Sequence, residues 1–331
     1  MAVLVTGGAG YIGSHMVLAL ADAGRDVVVL DDLSTGFDWM VHPAAIFIKG
    51  DVGDETLVSQ IIRKHSIKVI AHFAGSIVVP ESVTDPLKYY MNNTVRSRSL
   101  ISAAVQSGVE QFLFSSTAAV YGDARECSIS EGAPLNPVSP YGTSKLMTEM
   151  MLRDVTRAHP MRFVALRYFN VAGADPLGRS GQSTRQATHL IKVATQAALG
   201  ERSHLDIFGT DYPTPDGTCL RDYIHVSDLA HAHMLALDYL DAGGNSTVFN
   251  CGYGRGYSVR EVVEAVKQVS GVDFPVNLSS RRAGDPATLI ASAERIRETL
   301  GWSPKLNDLE AIIRHALAWE NSLKLRRAEA A

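Results

Sequence analysis

Cysteine is scarce in this chain and scattered. Cys127, Cys219 and Cys251 stand apart among 331 residues, odd in number for a disulfide scaffold and without the paired spacing of a zinc site. A reducing compartment suits such a sequence. No apolar run approaches the roughly 18 residues that a bilayer-spanning helix needs. Positive charge is not in excess either. A net charge of −4 leaves nucleic acid and anionic membrane surfaces without an electrostatic footing, and the cluster Lys324, Arg326 and Arg327 reads as a solvated terminus. Internal repeats and low-complexity tracts are missing. A strand begins within two residues of Met1 with no basic stretch before it, so the expectation is a cytoplasmic protein without a signal peptide. His225, His231 and His233 resemble a metal cluster only on paper. Residues 231 and 233 point to different sides of a helix and no carboxylate stands at ligand spacing, so no metal is expected.

What the chain does have is 46% apolar residues, enough for a sizeable core, and a length that suits about two domains. Its first half alternates strands and helices. Strands are expected at Val3–Thr6, Asp26–Leu30, Ala44–Ile48, Val69–Ala74, Gln111–Ser115 and Phe163–Arg167. Between them helical patterns run from Tyr11, over Glu55–Lys64, Leu87–Ser107 and Ser144–Arg157. This is the rhythm of a doubly wound parallel sheet, whose ligands gather at the carboxyl ends of its strands. From about Ala172 glycine and polar residues take over. There we expect a smaller, mixed α/β domain over 172–331, following a domain over 1–171, with some later segments returning to the first. Within it Asp211–Gly217 reads as a turn and Ser258–Ser270 as an amphipathic helix.

The chemistry begins where the first strand runs into Gly7-x-x-Gly10-x-x-Gly13. Glycines let the chain bend sharply and approach a pyrophosphate, whose charge then sits at the positive end of the following helix. Asp31 stands at the end of the next strand, with no arginine beside it. An acid there accepts hydrogen bonds from both adenosine ribose hydroxyls and repels a 2′-phosphate, so NAD is expected over NADP.

Tyr141 and Lys145, at i and i+4, share a helix face about 5–6 Å apart. A free tyrosine is ionised in roughly one molecule in a thousand at pH 7. An ammonium about 5 Å away at an effective dielectric of 20 contributes about 3 kcal/mol, or about two pKa units, which would bring the phenol toward a useful general base. A positive nicotinamide ring would push the same way. Ser115, Ser116 and Thr117 end a strand at the expected ligand edge. One hydroxyl there can share a substrate proton with Tyr141; Thr117 is the first candidate, though position alone does not separate the three.

TGGAGYIGS, Asp31, Phe73–Gly75, SSTAAVYG (115–122), SPYGTSK (139–145), LRYFN (166–170) and DGTCLRDYIHVSDLA (216–230) together resemble the UDP-glucose 4-epimerase family of extended short-chain dehydrogenase/reductases, over essentially the whole chain. The resemblance implies a Rossmann-type fold, a tightly held NAD, a UDP-sugar substrate with UDP-glucose and UDP-galactose as the pair, and a homodimer. Tyr141 would take the proton of the sugar 4-hydroxyl, Thr117 would match the catalytic Ser/Thr, and Lys145 would also hold the nicotinamide ribose. Gly7, Gly10, Tyr11, Ile12 and Gly13 match the pyrophosphate turn. Asp31, Asp32, Leu33, Ser34, Thr35 and Gly36 match the ribose loop, and Asp51 and Val52 the adenine contacts. Phe73, Ala74, Gly75, Ser76, Ile77, Asn92 and Phe169 match further cofactor contacts. Asn170, His189, Leu190, Phe208, Arg221, Arg282, Asp285 and Leu289 fall on substrate positions, where a guanidinium fork suits a diphosphate.

Three positions depart from the resemblance. Ile77 stands where many members have a lysine near the pyrophosphate, His189 where asparagine is frequent, and Leu289 where residue size is thought to gate N-acetylated sugars. A 4,6-dehydratase would need an acid–base pair after the catalytic threonine, and Ala118 and Ala119 stand there instead. An epimerase of UDP-N-acetylglucosamine or UDP-xylose shares every catalytic part. A non-enzymatic NAD sensor would be expected to have lost Tyr141 or Lys145, and both are present.

Overall fold

The computed structural model describes residues 2–123, 128–184, 187–282 and 285–329; Cys127 lies outside them. The first strands are β1 (Val3–Thr6), β2 (Val27–Asp31), β3 (Ile46–Lys49), β4 (Val69–His72), β5 (Gln111–Ser115) and β6 (Arg162–Tyr168). Next come β7 (Asn170–Ala172), β8 (Leu205–Phe208), β9 (Leu220–His225), β10 (Thr247–Cys251), β11 (Gly256–Ser258), β12 (Val276–Ser279) and β13 (Thr288–Leu289). The earlier helices are α1 (Tyr11–Asp22), α2 (Glu55–Lys64), α3 (Val79–Thr84), α4 (Pro86–Tyr89), α5 (Arg96–Gln106) and α6 (Pro140–Ala158). The later ones are α7 (Leu190–Ala198), α8 (Val226–Asp241), α9 (Val259–Ser270), α10 (Glu294–Leu300) and α11 (Leu309–Glu329).

Seven strands pair in the order β10-β6-β5-β4-β1-β2-β3, all parallel. The expected doubly wound, Rossmann-type sheet is therefore present. Side chains alternate between its faces. Val3, Val5, Val27, Val29 and Val164 pack under α1 and α8 with Met16, Leu20, Leu229 and Leu237. Leu4, Val28, Leu30, Phe112 and Phe114 pack on the other side under α2, α5 and α6 with Ile61, Leu100 and Leu152. Strand order reverses between β1 and β4, which opens a crevice at their carboxyl ends. The chain leaves the sheet after β6 and returns through β10, whose Phe249 register-pairs with Leu166. A further core joins α7, α9 and α11 to β8. No helix among the described residues is long and apolar enough to cross a membrane.

Two elements differ from the sequence expectation. The helix expected over Leu87–Ser107 is α4 and α5 joined by a π turn at Tyr90–Val95. Asn93 is the cause we identify: it is buried, accepts from Ser76 N and donates to Ser76 O and Ser144 Oγ. The wider turn accommodates this inward amide, a contact that apolar periodicity does not report. Helix α6 begins at Pro140 rather than Ser144. Proline is suited to the first helical position, where its missing N–H has no partner to lose, and the Ser139 side chain caps the turn by accepting from Gly142 N at 3.2 Å. Elsewhere, Tyr212 N donates to Gly217 O in the turn at 211–217, and Ser258 and Glu261 form a capping box at the start of α9.

Candidate active site

One cleft of about 1080 Å³ runs across the carboxyl edge of the sheet and on into the residues beyond β7. Its first end is built by the β1–α1 turn. Gly7 has φ +73°, and a Cβ there would lie 2.5 Å from Ala74 N; a Cβ on Gly13 would lie 2.1 Å from Gly7 O. Only glycine permits this packing. Gly10 caps α1 without any side-chain bond and the first turn carries no acid, so the leading amides of Tyr11, Ile12 and Gly13 stand at the cleft wall with the helix dipole behind them. Asp31 ends β2 beside this turn, buried, accepting from Ala9 N at 3.0 Å and Leu33 N at 2.8 Å. Burial pushes its carboxyl pKa up, and the two amides oppose that. Asp32, Ser34, Thr35, Asp51, Val52, Phe73, Ala74, Gly75, Ser76, Ile77 and Asn92 line the same end. Leu33 and Gly36 do not. Leu33 takes φ 61° to deliver its amide to Asp31, and Gly36 lies against the Ala9 backbone, so both shape the loop from behind. An uncapped helix start, cramped glycines and a buried acid fit a dinucleotide such as NAD.

At the middle of the cleft, Tyr141 sits in the first turn of α6, buried, its ring edge-on to Tyr89 at 6.4 Å. Thr117 is the side chain that acts on its phenol, favouring the ionised form against burial. The hydroxyls of 115–117 thereby separate. Ser115 Oγ pairs with the Tyr168 hydroxyl, Ser116 Oγ donates to Glu149, and Thr117 alone of the three meets Tyr141. Lys145 is buried one turn along. Its Nζ donates to Ser115 O at 3.0 Å and lies 5.0 Å from the centre of the Phe114 ring. Burial lowers its pKa to about 8, opposed by the Glu149 carboxylate. The expected depression of the Tyr141 pKa by this lysine is not realised. Burial raises the phenol pKa, and the opposing influence is the Thr117 side chain rather than Lys145, whose ammonium is turned to the Ser115 carbonyl.

The far end gathers residues from separate elements. Phe169 and Asn170 lie at the β6–β7 junction, and His189 and Leu190 at the start of α7. Phe208 ends β8, with the Arg282 guanidinium 3.8 Å over its ring. Arg221, on β9, has its side chain 10% exposed and is only loosely paired with Asp285, at 3.6 Å, so it remains available to an anion. His189 Nδ1 bonds the Gln182 amide at 2.8 Å, and burial keeps the ring neutral by lowering its pKa. Leu289, on β13 opposite Arg221, packs against a cluster containing Ala118, Tyr121 and Phe169.

Two of the three histidines considered as a metal cluster, His225 and His233, make hydrogen bonds within the protein. His225 Nδ1 accepts from Ser227 N at 3.0 Å and its Nε2 meets His315 Nδ1 at 3.0 Å, while His233 bonds Leu229 O. Asp228 is in the first turn of α8 and also takes Lys305 N, Leu306 N and the Tyr253 hydroxyl. Cys219 and Cys251 are buried and free.

Sequence reading missed the layer behind the site. Glu149, one turn past Lys145, receives Arg167 at 2.6 Å with both side chains 5% exposed, and Arg167 donates to the Tyr121 hydroxyl, which donates to Asn250. Continuing the Tyr141–Lys145 spacing by four residues would have found Glu149. Lys88 and Arg96 also line the cleft and carried no sequence signal.

Residues 3–252 match the model of the NAD dependent epimerase/dehydratase family. The chain is 59% identical over 322 residues to the UDP-glucose 4-epimerase of Azospirillum brasilense, covering 97% of this chain and 92% of that one. It superposes on the UDP-glucose 4-epimerase from Brucella ovis in complex with NAD with a TM-score of 0.93 at 44% identity, covering 96% and 97% of the two chains. The UDP-Glc/GlcNAc 4-epimerase of Campylobacter jejuni gives 0.85 at 49%, covering 97% and 99%. A matching fold, a matching sequence over nearly its full length and a cleft built for a dinucleotide agree: the chain belongs to the NAD dependent epimerase/dehydratase family and, within it, to the UDP-glucose 4-epimerases.

Proposed function

We propose that the protein interconverts UDP-glucose and UDP-galactose at C4, with NAD kept in the cleft throughout. The observation that carries this reading is the position of the Tyr141–Thr117 pair in a single cleft, with a dinucleotide-type turn at one end and Arg221 and Arg282 at the other. The redox chemistry, reversible hydride exchange with the sugar C4, is what NAD would supply when bound. Gly7–Gly13, Asp31, Asp51 and Asn92 would hold it, and Lys145 would take the nicotinamide ribose. Tyr141 accepts the proton of the 4-hydroxyl with Thr117 sharing it, and gives it back after the 4-keto sugar has turned in the pocket. Arg221 and Arg282 grip the diphosphate, so the hexose itself can be held loosely enough to turn. Residues 1–171 then serve mainly NAD and 172–331 mainly the UDP-sugar. Incubation with UDP-galactose and no added NAD tests the reading: UDP-glucose forms if it holds, and no conversion by protein shown to carry NAD defeats it.

Volume sets sugar choice in this reading, with Leu289 as the wall nearest an N-acetyl group. The similarity to a UDP-Glc/GlcNAc 4-epimerase favours, as a second reading, acceptance of N-acetylated sugars as well. The working unit is a homodimer. Leu87, Met91 and Val95 form an exposed apolar stripe at i, i+4, i+8, and Met147 and Met150 of α6 are also exposed, with Thr94 Oγ1 3.9 Å from Met147 Sδ. The cytoplasm is the compartment that fits three isolated cysteines.

A further inference from the structure

The adenosine end of the cleft carries a cation with an unusual setting. Arg96 opens α5 directly after the π turn, four residues beyond Asn92, and both line the cleft beside Asp51 and Val52. Its guanidinium is held on two sides. Nη2 lies 3.0 Å from Asp51 Oδ2, and Nη1 donates to Asn92 Oδ1 at 2.5 Å. Asn92 Nδ2 donates onward to Ser76 Oγ at 2.8 Å, so the chain Asp51–Arg96–Asn92–Ser76 forms one polar strip along the wall. The stem of Arg96 crosses Gly53, where a Cβ would come within 2.9 Å of Arg96 Cγ. The side chain is 33% exposed.

A surface ion pair alone would account for Arg96–Asp51, but not for a second, fixed bond to a cleft amide. Guanidinium N–H bonds lie in its plane. Bonds to Asp51 and Asn92 therefore use its edge and engage neither face. The sheet order says what those faces meet. Moving outward from β1 through β2 to β3, the cleft passes the glycine turn, then Asp31, then Asp51, the sequence diphosphate, ribose, base. Arg96 stands at the last station. Its charge is already offset by Asp51, which weakens any pull on the diphosphate, whereas a planar cation over a purine needs no free charge of opposite sign.

We propose that Arg96 is a cofactor-holding residue that lays a face of its guanidinium on the adenine ring of NAD. This rests on the reading of the cleft as the NAD site. The experiment strips the holoenzyme of cofactor and measures affinity for adenosine monophosphate, nicotinamide mononucleotide and inorganic pyrophosphate, alongside the rate of NAD release from the holoenzyme. Arg96→Ala should weaken adenosine monophosphate about 5- to 30-fold and speed NAD release similarly, with the other two ligands unchanged. Arg96→Lys should recover little, because an ammonium has no plane to stack. In an Asp51→Ala background the Arg96→Ala loss should persist. Unchanged adenosine monophosphate affinity, an equal loss for pyrophosphate, or disappearance of the effect in the Asp51→Ala background would each overturn the proposal. A wild-type protein that bound neither NAD nor adenosine monophosphate would instead defeat the reading of the cleft.

Discussion

Tyr141 is buried, and Thr117 is the side chain that acts on its phenol. Removing its hydroxyl takes away the proton acceptor while leaving ring packing against Tyr89 intact. Tyr141→Phe should therefore lose about 10²–10⁴-fold in kcat with NAD still bound, measured by turnover and by cofactor content of the purified variant. Turnover close to wild type would transfer the role to Thr117. Leu289 is the residue-scale test of sugar choice. An N-acetyl group meeting a packed leucine costs about 1–3 kcal/mol, roughly 5- to 150-fold in rate. N-acetylated UDP-sugars should be slower than UDP-glucose by that order, and Leu289→Ser should narrow the gap chiefly by improving them. Equal kcat/KM for both sugar classes in the wild type would remove Leu289 as the gate and favour the second reading.

At the scale of elements, the start of α6 sets the site. Pro140 and the Ser139 cap draw the helix back far enough to include Tyr141, which places it on the same helical face as Lys145 and Glu149. Ser139→Ala leaves the Gly142 amide without its cap, a loss of about 1 kcal/mol. We expect a lowered Tm by calorimetry, and a drop in kcat larger than that of a cap mutation elsewhere, such as Ser258→Ala in α9. Equal effects on kcat from the two caps would show that the first turn of α6 does not control Tyr141. The π turn plays a comparable part. By turning Asn93 inward it leaves Asn92 and Arg96 on the cleft, and a regular helix over the same residues would redirect one or the other.

For the whole molecule, burial of imidazoles governs the response to acid. His72 and His225 have pKa values lowered to about 3, and His15 and His233 to about 4, all chiefly by burial. Unfolded, each titrates near 6.5. Between those values the unfolded chain binds more protons, so stability is fully present above about pH 6.5 and is lost as pH falls toward 4. Asp222, raised to about 6 by burial, works in the opposite sense, since the folded chain takes its proton first. Four imidazoles outweigh it. The Tm should fall progressively from pH 6.5 to 4.5, and a flat profile would refute this account. The apolar stripe is also a property of the whole. Leu87→Glu combined with Val95→Glu should convert a dimer to a monomer by light scattering, and a wild-type monomer would end the dimer reading.

Much of this protein is legible in its sequence because much of it is local. A turn of three spaced glycines, an acid at the end of the next strand, and buried strands alternating with helices follow from neighbouring residues, and they foretold the parallel sheet and the cramped glycine turn at one end of the cleft. Tyr141 and Lys145 were legible for the same reason, since helical pitch fixes the relation of i to i+4. Other features depended on contacts between residues far apart in the chain. Which of Ser115, Ser116 and Thr117 meets Tyr141 was decided by Tyr168 and Glu149 claiming the other two. The orientation of Lys145 was decided by the Ser115 carbonyl, the π turn by Asn93 reaching Ser76 and Ser144, and the setting of Arg96 by Asp51 from another loop. Local pattern reports which face of an element is apolar. Only packing determines which polar group each buried donor finds, because that choice is made between elements after the core has brought them together.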